Sequence, residues 1–154
     1  MRRFSLLVAA FGLLLTSVFA ADEVKLDGIK CIVNGKAAAK ADKNRDYKDG
    51  KVYFCCDNCP KSFDKDEKKF ATKANTQLVA TGQAKQHKCP LSGKDLNKDT
   101  EITVAGAKVQ FCCNNCKGEV EKLKGDEQAE KVFSDDAFKK AEFKVEKKKA
   151  TNSN

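Results

Sequence analysis

Hydrophobic positions change their period several times along this chain, and each change marks an element. Phe4 to Val18 form a mostly apolar run behind Arg2 and Arg3. Beyond it the chain is polar, and a period of two appears twice. Tyr47, then Asp49-Gly50, then Val52 and Phe54 predict a hairpin that turns at Asp49-Gly50. Ile102 and Val104, then Val109 and Phe111, alternate about Ala105-Gly106 and predict a second. After each hairpin the pattern becomes helical. Pro60 sits where a first helical turn tolerates it, and Phe63 and Phe70 fall on one helical face. Val120 and Leu123 answer in the second half, and a later helix is predicted to carry Phe138, Ala141 and Val145.

The two hairpin-and-helix patterns are copies. Cys31 and Cys89 are 58 positions apart, while Cys55 and Cys112 are 57 apart, so the halves differ by a one-residue gap. The first unit spans 24–72 and the second 87–146. The stretch 73–86, rich in Ala, Thr and Gln, is the connector, and the Lys-rich tail 147–154 is expected to be disordered. The leader 1–20 has the form of a signal peptide. Arg2 and Arg3 supply its positive end, and Val18-Phe19-Ala20 places cleavage after Ala20. The apolar run is short for a membrane span of about 20 residues, and no stop-transfer flank follows it. A secreted or periplasmic protein with no membrane span after cleavage is expected.

Composition narrows the partners. The formal net charge is +8, yet Arg45 is the only arginine beyond the leader. Readers of bases and phosphates favour the bidentate fork of arginine. Runs such as Asp64-Lys65-Asp66-Glu67-Lys68-Lys69 interleave both signs, as a solvated helix face does. No nucleic-acid partner is therefore expected; an anionic cell-envelope component or a partner protein suits the lysine-rich surface better. Units of about 60 residues cannot each bury a large core, so cross-links or metal must supplement them.

All 8 cysteines fall into two sets of four. In each set a lone cysteine (Cys31 or Cys89) lies in a Cys-x-x-x-Gly-Lys knuckle, where Gly35 or Gly93 can take positive φ. A Cys-Cys-x-x-Cys cluster follows where strand gives way to helix: Cys55, Cys56 and Cys59, or Cys112, Cys113 and Cys116. Helix-start amides there offset thiolate charge, and the lone cysteine closes the site from across the hairpin. The expected fold is α+β, two tandem Cys-rich treble-clef or zinc-ribbon-like units, each a β-hairpin plus a helix.

Each unit resembles a TRASH domain, the metal-binding relative of YHS domains. That family carries a cysteine, a spacer of a couple of dozen residues, then Cys-x-x-x-Cys entering a helix. Cys31, Cys55 and Cys59 match that triplet, as do Cys89, Cys112 and Cys116. The approaches Val52-Tyr53-Phe54 and Val109-Gln110-Phe111 resemble it too. The resemblance implies binding, sensing or trafficking of heavy-metal ions, often copper. Cys56 and Cys113 are additional sulfurs, and the Tyr-His-Ser signature of YHS relatives is absent.

Thiolates select soft or borderline ions, so Zn(II) or Cu(I), about one per repeat, is the expected cargo. The ligand set is Cys31, Cys55, Cys56 and Cys59 with Cys89, Cys112, Cys113 and Cys116. The leader holds the only methionine, and His87, two residues before Cys89, is the single histidine. Two other readings use the same sulfurs: disulfide staples in an exported interaction module, or a thiol–disulfide redox protein built on Cys56-x-x-Cys59 and Cys113-x-x-Cys116. No hydrolase constellation and no phosphate loop occurs, so no catalysis is expected. Asp135-Asp136 read as helix-start charges, and Asn58 and Asn115 as residues of left-handed turns.

Overall fold

The computed structural model describes residues 24–146, an α+β arrangement of short hairpins and helices. The leader, its cleavage position and the tail 147–154 lie outside the described residues. Among the described residues no helix is long and apolar enough to cross a membrane.

Each half opens with an antiparallel hairpin. Strand β1 (Lys40–Tyr47) pairs with β2 (Gly50–Phe54), and β4 (Asn97–Val104) pairs with β5 (Ala107–Phe111). The registers correspond: Lys40 faces Phe54 and Tyr47 faces Gly50, as Asn97 faces Phe111 and Val104 faces Ala107. Both hairpins carry an irregularity between those two pairs. The correspondence between the hairpins extends to the irregularity that bends each first strand.

The second turn falls at Ala105-Gly106 as predicted, both with positive φ. The first lies one residue earlier than predicted. Lys48 and Asp49 take positive φ, 45° and 66°, while Gly50 already belongs to β2. Gly50 is needed for space instead: a Cβ there would lie 2.7 Å from Leu78 Cδ2 and 3.0 Å from Gln83 Oε1.

Helix α1 (Asn58–Lys65) follows the first hairpin and α3 (Asn114–Glu121) the second. Each is seated by an apolar residue one turn beyond its cysteine. Phe63 lies below Cys59 and Val120 below Cys116, both at the i, i+4 spacing that shares a helix face. Phe63 meets Tyr47, Phe54 and Phe70 at ring-centroid distances of 5.8, 5.6 and 6.3 Å. Phe70 does so from a 3-10 turn at Lys68–Phe70 rather than from α1, which ends at Lys65 before the charged Asp66-Glu67. Leu123 likewise falls beyond the end of α3. Asn58 and Asn115 sit in the first turns of these helices, not in the left-handed region.

The connector stretch carries α2 (Ala71–Ala80), which is packed in the core against β2, β5 and two C-terminal helices, α4 (Gly125–Phe133) and α5 (Asp135–Lys140). Its buried face holds Ala74 and Leu78 but also Asn75, Thr76 and Gln77. Asn75 is fully buried and satisfied: its Nδ2 donates to the Phe133 carbonyl at 2.8 Å and to Asp135 Oδ1 at 3.0 Å, and its Oδ1 accepts the Tyr47 hydroxyl and Lys48 Nζ. The acids Asp135-Asp136 open α5, as expected. Val145 belongs not to that helix but to β6 (Lys144–Val145), which pairs with β3 (Ala84–Lys85). Phe54, Phe111, Phe133, Leu78 and Val120 all join one apolar core continuous through both halves. Each such side chain contributes roughly 1.5–3 kcal/mol by leaving water.

Candidate metal centre

The lone cysteines are held by two matching knuckles. The Cys31 amide donates to the Ala37 carbonyl at 2.9 Å, and the Gly35 amide returns to the Cys31 carbonyl at 2.8 Å. At the second site the Cys89 amide donates to Lys94 at 2.9 Å and the Gly93 amide to Cys89 at 2.8 Å. Gly35 and Gly93 take φ of 73° and 69°, the left-handed conformation that the spacing predicts. Cys31 and Cys89 are almost wholly buried.

Strand ends and helix starts supply the rest. Residue Cys55 leaves β2 and Cys59 enters α1; Cys112 leaves β5 and Cys116 enters α3. The sulfurs of Cys31, Cys55 and Cys59 all lie within 4.8 Å of one another, and so do those of Cys89, Cys112 and Cys116. Cys55 and Cys59 are 3.6 Å apart, as are Cys112 and Cys116. These are contacts between free thiols, well beyond the S–S bond length of about 2.05 Å.

Cys56 and Cys113 stand outside the triads, at their rims. The exposed Cys56 places its sulfur 3.4 Å from that of Cys59, whereas Cys113 lies 3.6 Å from Cys112. His87 is exposed and belongs to neither group.

Proton affinities differ within each cluster. Burial pushes the Cys31 thiol up, but the amides of Asn34, Cys55 and Val33 outweigh it and leave the group below the ordinary thiol range. Cys89 follows the same balance: burial opposes, and the Ser92 hydroxyl with the amides of Ser92, Cys112 and Leu91 brings it to about 7. Cys59 and Cys116 are pushed far up, first by burial and then by neighbouring thiols. At the rim, contact with the Cys59 thiol and the amides of Cys59 and Asn58 lowers Cys56 to about 7. Cys113 is lowered chiefly by the Cys116 amide. In each triad the knuckle thiol is thus held toward its thiolate while the helix-start thiol is held protonated, a difference that a bound cation would offset. That is the electrostatic condition of a thiolate metal site.

The two knuckles differ in a way that the cysteine motif does not carry. Asn34 and Ser92 occupy matching positions. The Asn34 amide reaches Cys31 Sγ at 3.4 Å while its side chain accepts the amides of Lys36 and Ala37. Ser92 accepts the Lys94 amide and turns its hydroxyl across the site to Cys112 Sγ at 3.2 Å. The recurrence of a short polar residue three positions after each lone cysteine was the available signal.

The chain matches no protein-family model, no curated protein and no solved structure.

Proposed function

We propose that this is an exported protein that binds soft metal ions, about one in each sulfur triad, and that it acts in binding, sensing or trafficking rather than catalysis. The observation that carries this reading is the convergence of three thiols, twice, from elements distant in sequence. Bringing unbonded thiols together on a strand end, a helix start and a knuckle has little structural merit without an ion.

Cu(I) is satisfied by three thiolates, and each triad supplies three. Zn(II) takes four ligands, and Cys56 and Cys113 are the sulfurs within reach to complete such a set. The hairpin, cysteine turn and helix of each half fit a treble-clef-like unit, and the triplets resemble those of TRASH domains. The leader supports export to the periplasm or the outside. The lysine-rich surface suits an anionic envelope component or a partner protein.

The test is to purify the exported form without added metal and measure metal content and thiol reactivity on the same sample. About two ions per chain, released together with the appearance of reactive thiols, supports the proposal. Sulfurs that are unreactive in metal-free protein until a reductant is added would overturn it in favour of disulfide staples.

A further inference from the structure

Two glutamines make the same three hydrogen bonds at the two sites. Gln77, buried on α2, donates from Nε2 to the carbonyls of Lys30 at 2.9 Å and Tyr53 at 3.1 Å, and its Oε1 accepts the Tyr53 amide at 2.6 Å. Gln86, just beyond β3, donates from Nε2 to the carbonyls of Lys88 at 2.9 Å and Gln110 at 2.8 Å, and its Oε1 accepts the Gln110 amide at 2.9 Å.

The partners correspond residue for residue. Lys30 and Lys88 directly precede the lone cysteines Cys31 and Cys89. Tyr53 and Gln110 stand two residues before Cys55 and Cys112. Each glutamine thus ties the knuckle that carries one sulfur to the strand that carries another. A carboxamide presents a donor and an acceptor side by side, as a peptide group does, so it occupies the outer edge of the strand as a neighbouring strand would.

Duplication does not account for the likeness. The positions 57 or 58 residues after Gln77 are Ser134 and Asp135, and those as far before Gln86 are Gly28 and Ile29. Both glutamines come instead from the single stretch that joins the halves, each arriving at its site from a different element. A third glutamine there provides a natural control. Gln83 accepts the Lys51 amide and donates to the Lys51 carbonyl, both at 2.8 Å, so it edges β2 without touching a knuckle.

We infer that Gln77 and Gln86 are positioning residues, each fixing the separation between the knuckle sulfur and the strand-end sulfurs of one triad. Partners behind metal ligands set ligand orientation, and losing one costs about 10–100-fold in affinity. The metal arm of the test rests on the proposed function; a second arm does not.

The test compares Q77M, Q86M and Q83M in the full chain, using Zn(II) in competition with a chromophoric chelator. Metal-protected cysteines are mapped by alkylation and mass spectrometry. Q77M is expected to weaken the first triad about 10–100-fold and spare the second, Q86M to do the reverse, and Q83M to spare both. In metal-free protein, diamide accepts two electrons and two protons as two thiols join in a disulfide. Bridging of Cys31 to Cys55 or Cys59 should slow several-fold in Q77M, with bridging at Cys89 unchanged. If Q77M does not fold, Q77E takes its place: its carboxylate retains the acceptor for the Tyr53 amide and lacks both donations. The inference is overturned if both triads keep wild-type behaviour, if both weaken together, or if Q83M matches Q77M. A wild-type chain that takes up no Zn(II) would sink the proposed function, and the diamide arm alone would then decide the role of the glutamines.

Discussion

The Ser92 hydroxyl donates to Cys112 Sγ across 3.2 Å, a bond that spans the second site from knuckle to strand end. It also contributes to the low proton affinity of Cys89. The first site has Asn34 in that position, with its side chain turned back onto its own loop. The two sites therefore differ in a hydroxyl that touches a sulfur of the second triad, where the first has a side chain engaged with its own loop.

Replacing Ser92 with alanine should raise the proton affinity of Cys89 from its value of about 7 and leave Cys31 unchanged. Fewer thiolates at neutral pH mean more protons for an incoming ion to displace. The second site should then bind metal more weakly by up to about tenfold, with a steeper pH dependence. Thiolate absorbance in the ultraviolet, followed against pH in metal-free protein, checks the first expectation. Chelator competition at several pH values checks the second.

The rim sulfurs separate the two candidate ions. Cys59→Ser removes a member of the first triad and should abolish binding of either ion there. Cys56→Ser removes only the sulfur beside it. It should weaken Zn(II), which requires a fourth ligand, and leave Cu(I) within about threefold of wild type. Equal losses for both ions in Cys56→Ser would show that the set is four sulfurs whatever the cargo.

Hairpins and helix starts were legible in the sequence because alternation, turn residues and cysteine spacing act locally. What the pattern hid was α2. Its buried face includes Asn75, Thr76 and Gln77, which count as polar in any periodicity and mimic a linker. They are tolerable inside because each finds partners: Asn75 in the Phe133 carbonyl and the Tyr47 hydroxyl, Gln77 in the backbone of Tyr53 and Lys30. Those partners are distant in the chain, so no local signal announces them. Val145 escaped for a related reason, since the strand it joins exists only through Ala84. All six sulfurs of the triads were visible from spacing alone, whereas the exclusion of Cys56 and Cys113 from the close groups depends on where their backbone points.

Asp135 links the first hairpin to α5 through Lys48 and Asn75, whose hydrogen bonds hold its carboxyl below the ordinary range. A carboxylate with a depressed folded-state value adds stability above its unfolded value of about 3.9 and loses that contribution as pH falls through the lower folded value. Asp135→Asn should therefore be less stable than wild type at neutral pH. The side chain is 58% exposed, so screening limits the Lys48 ion-pair part to about 1 kcal/mol or less. The difference should shrink in acid, at a pH below the lowered folded-state value, where the wild-type carboxyl is protonated too. Urea unfolding at both pH values measures it, and a gap that persists in acid would mean that the ion pair is not its source.

Gly50 tests whether the helix hidden from sequence patterning holds the hairpin closely. Its φ is ordinary, so alanine costs nothing in backbone conformation; the obstacle is Leu78 Cδ2, which an added Cβ would approach to 2.7 Å. Leu78 is fully buried, so its methyl would have to shift within the core. Gly50→Ala should destabilise the fold by about 1–3 kcal/mol, as overpacked cores do. At the matching position the second hairpin carries Ala107, itself completely buried, so a methyl is accepted there and only there. Ala107→Gly should also destabilise, through a lost contact and a looser strand, by about 1 kcal/mol. Chemical denaturation of the two variants reads both expectations. If Gly50→Ala were as stable as wild type, α2 would have to stand farther from β2 than the 2.7 Å approach requires, and the reach of Gln77 to Tyr53 would be in question with it.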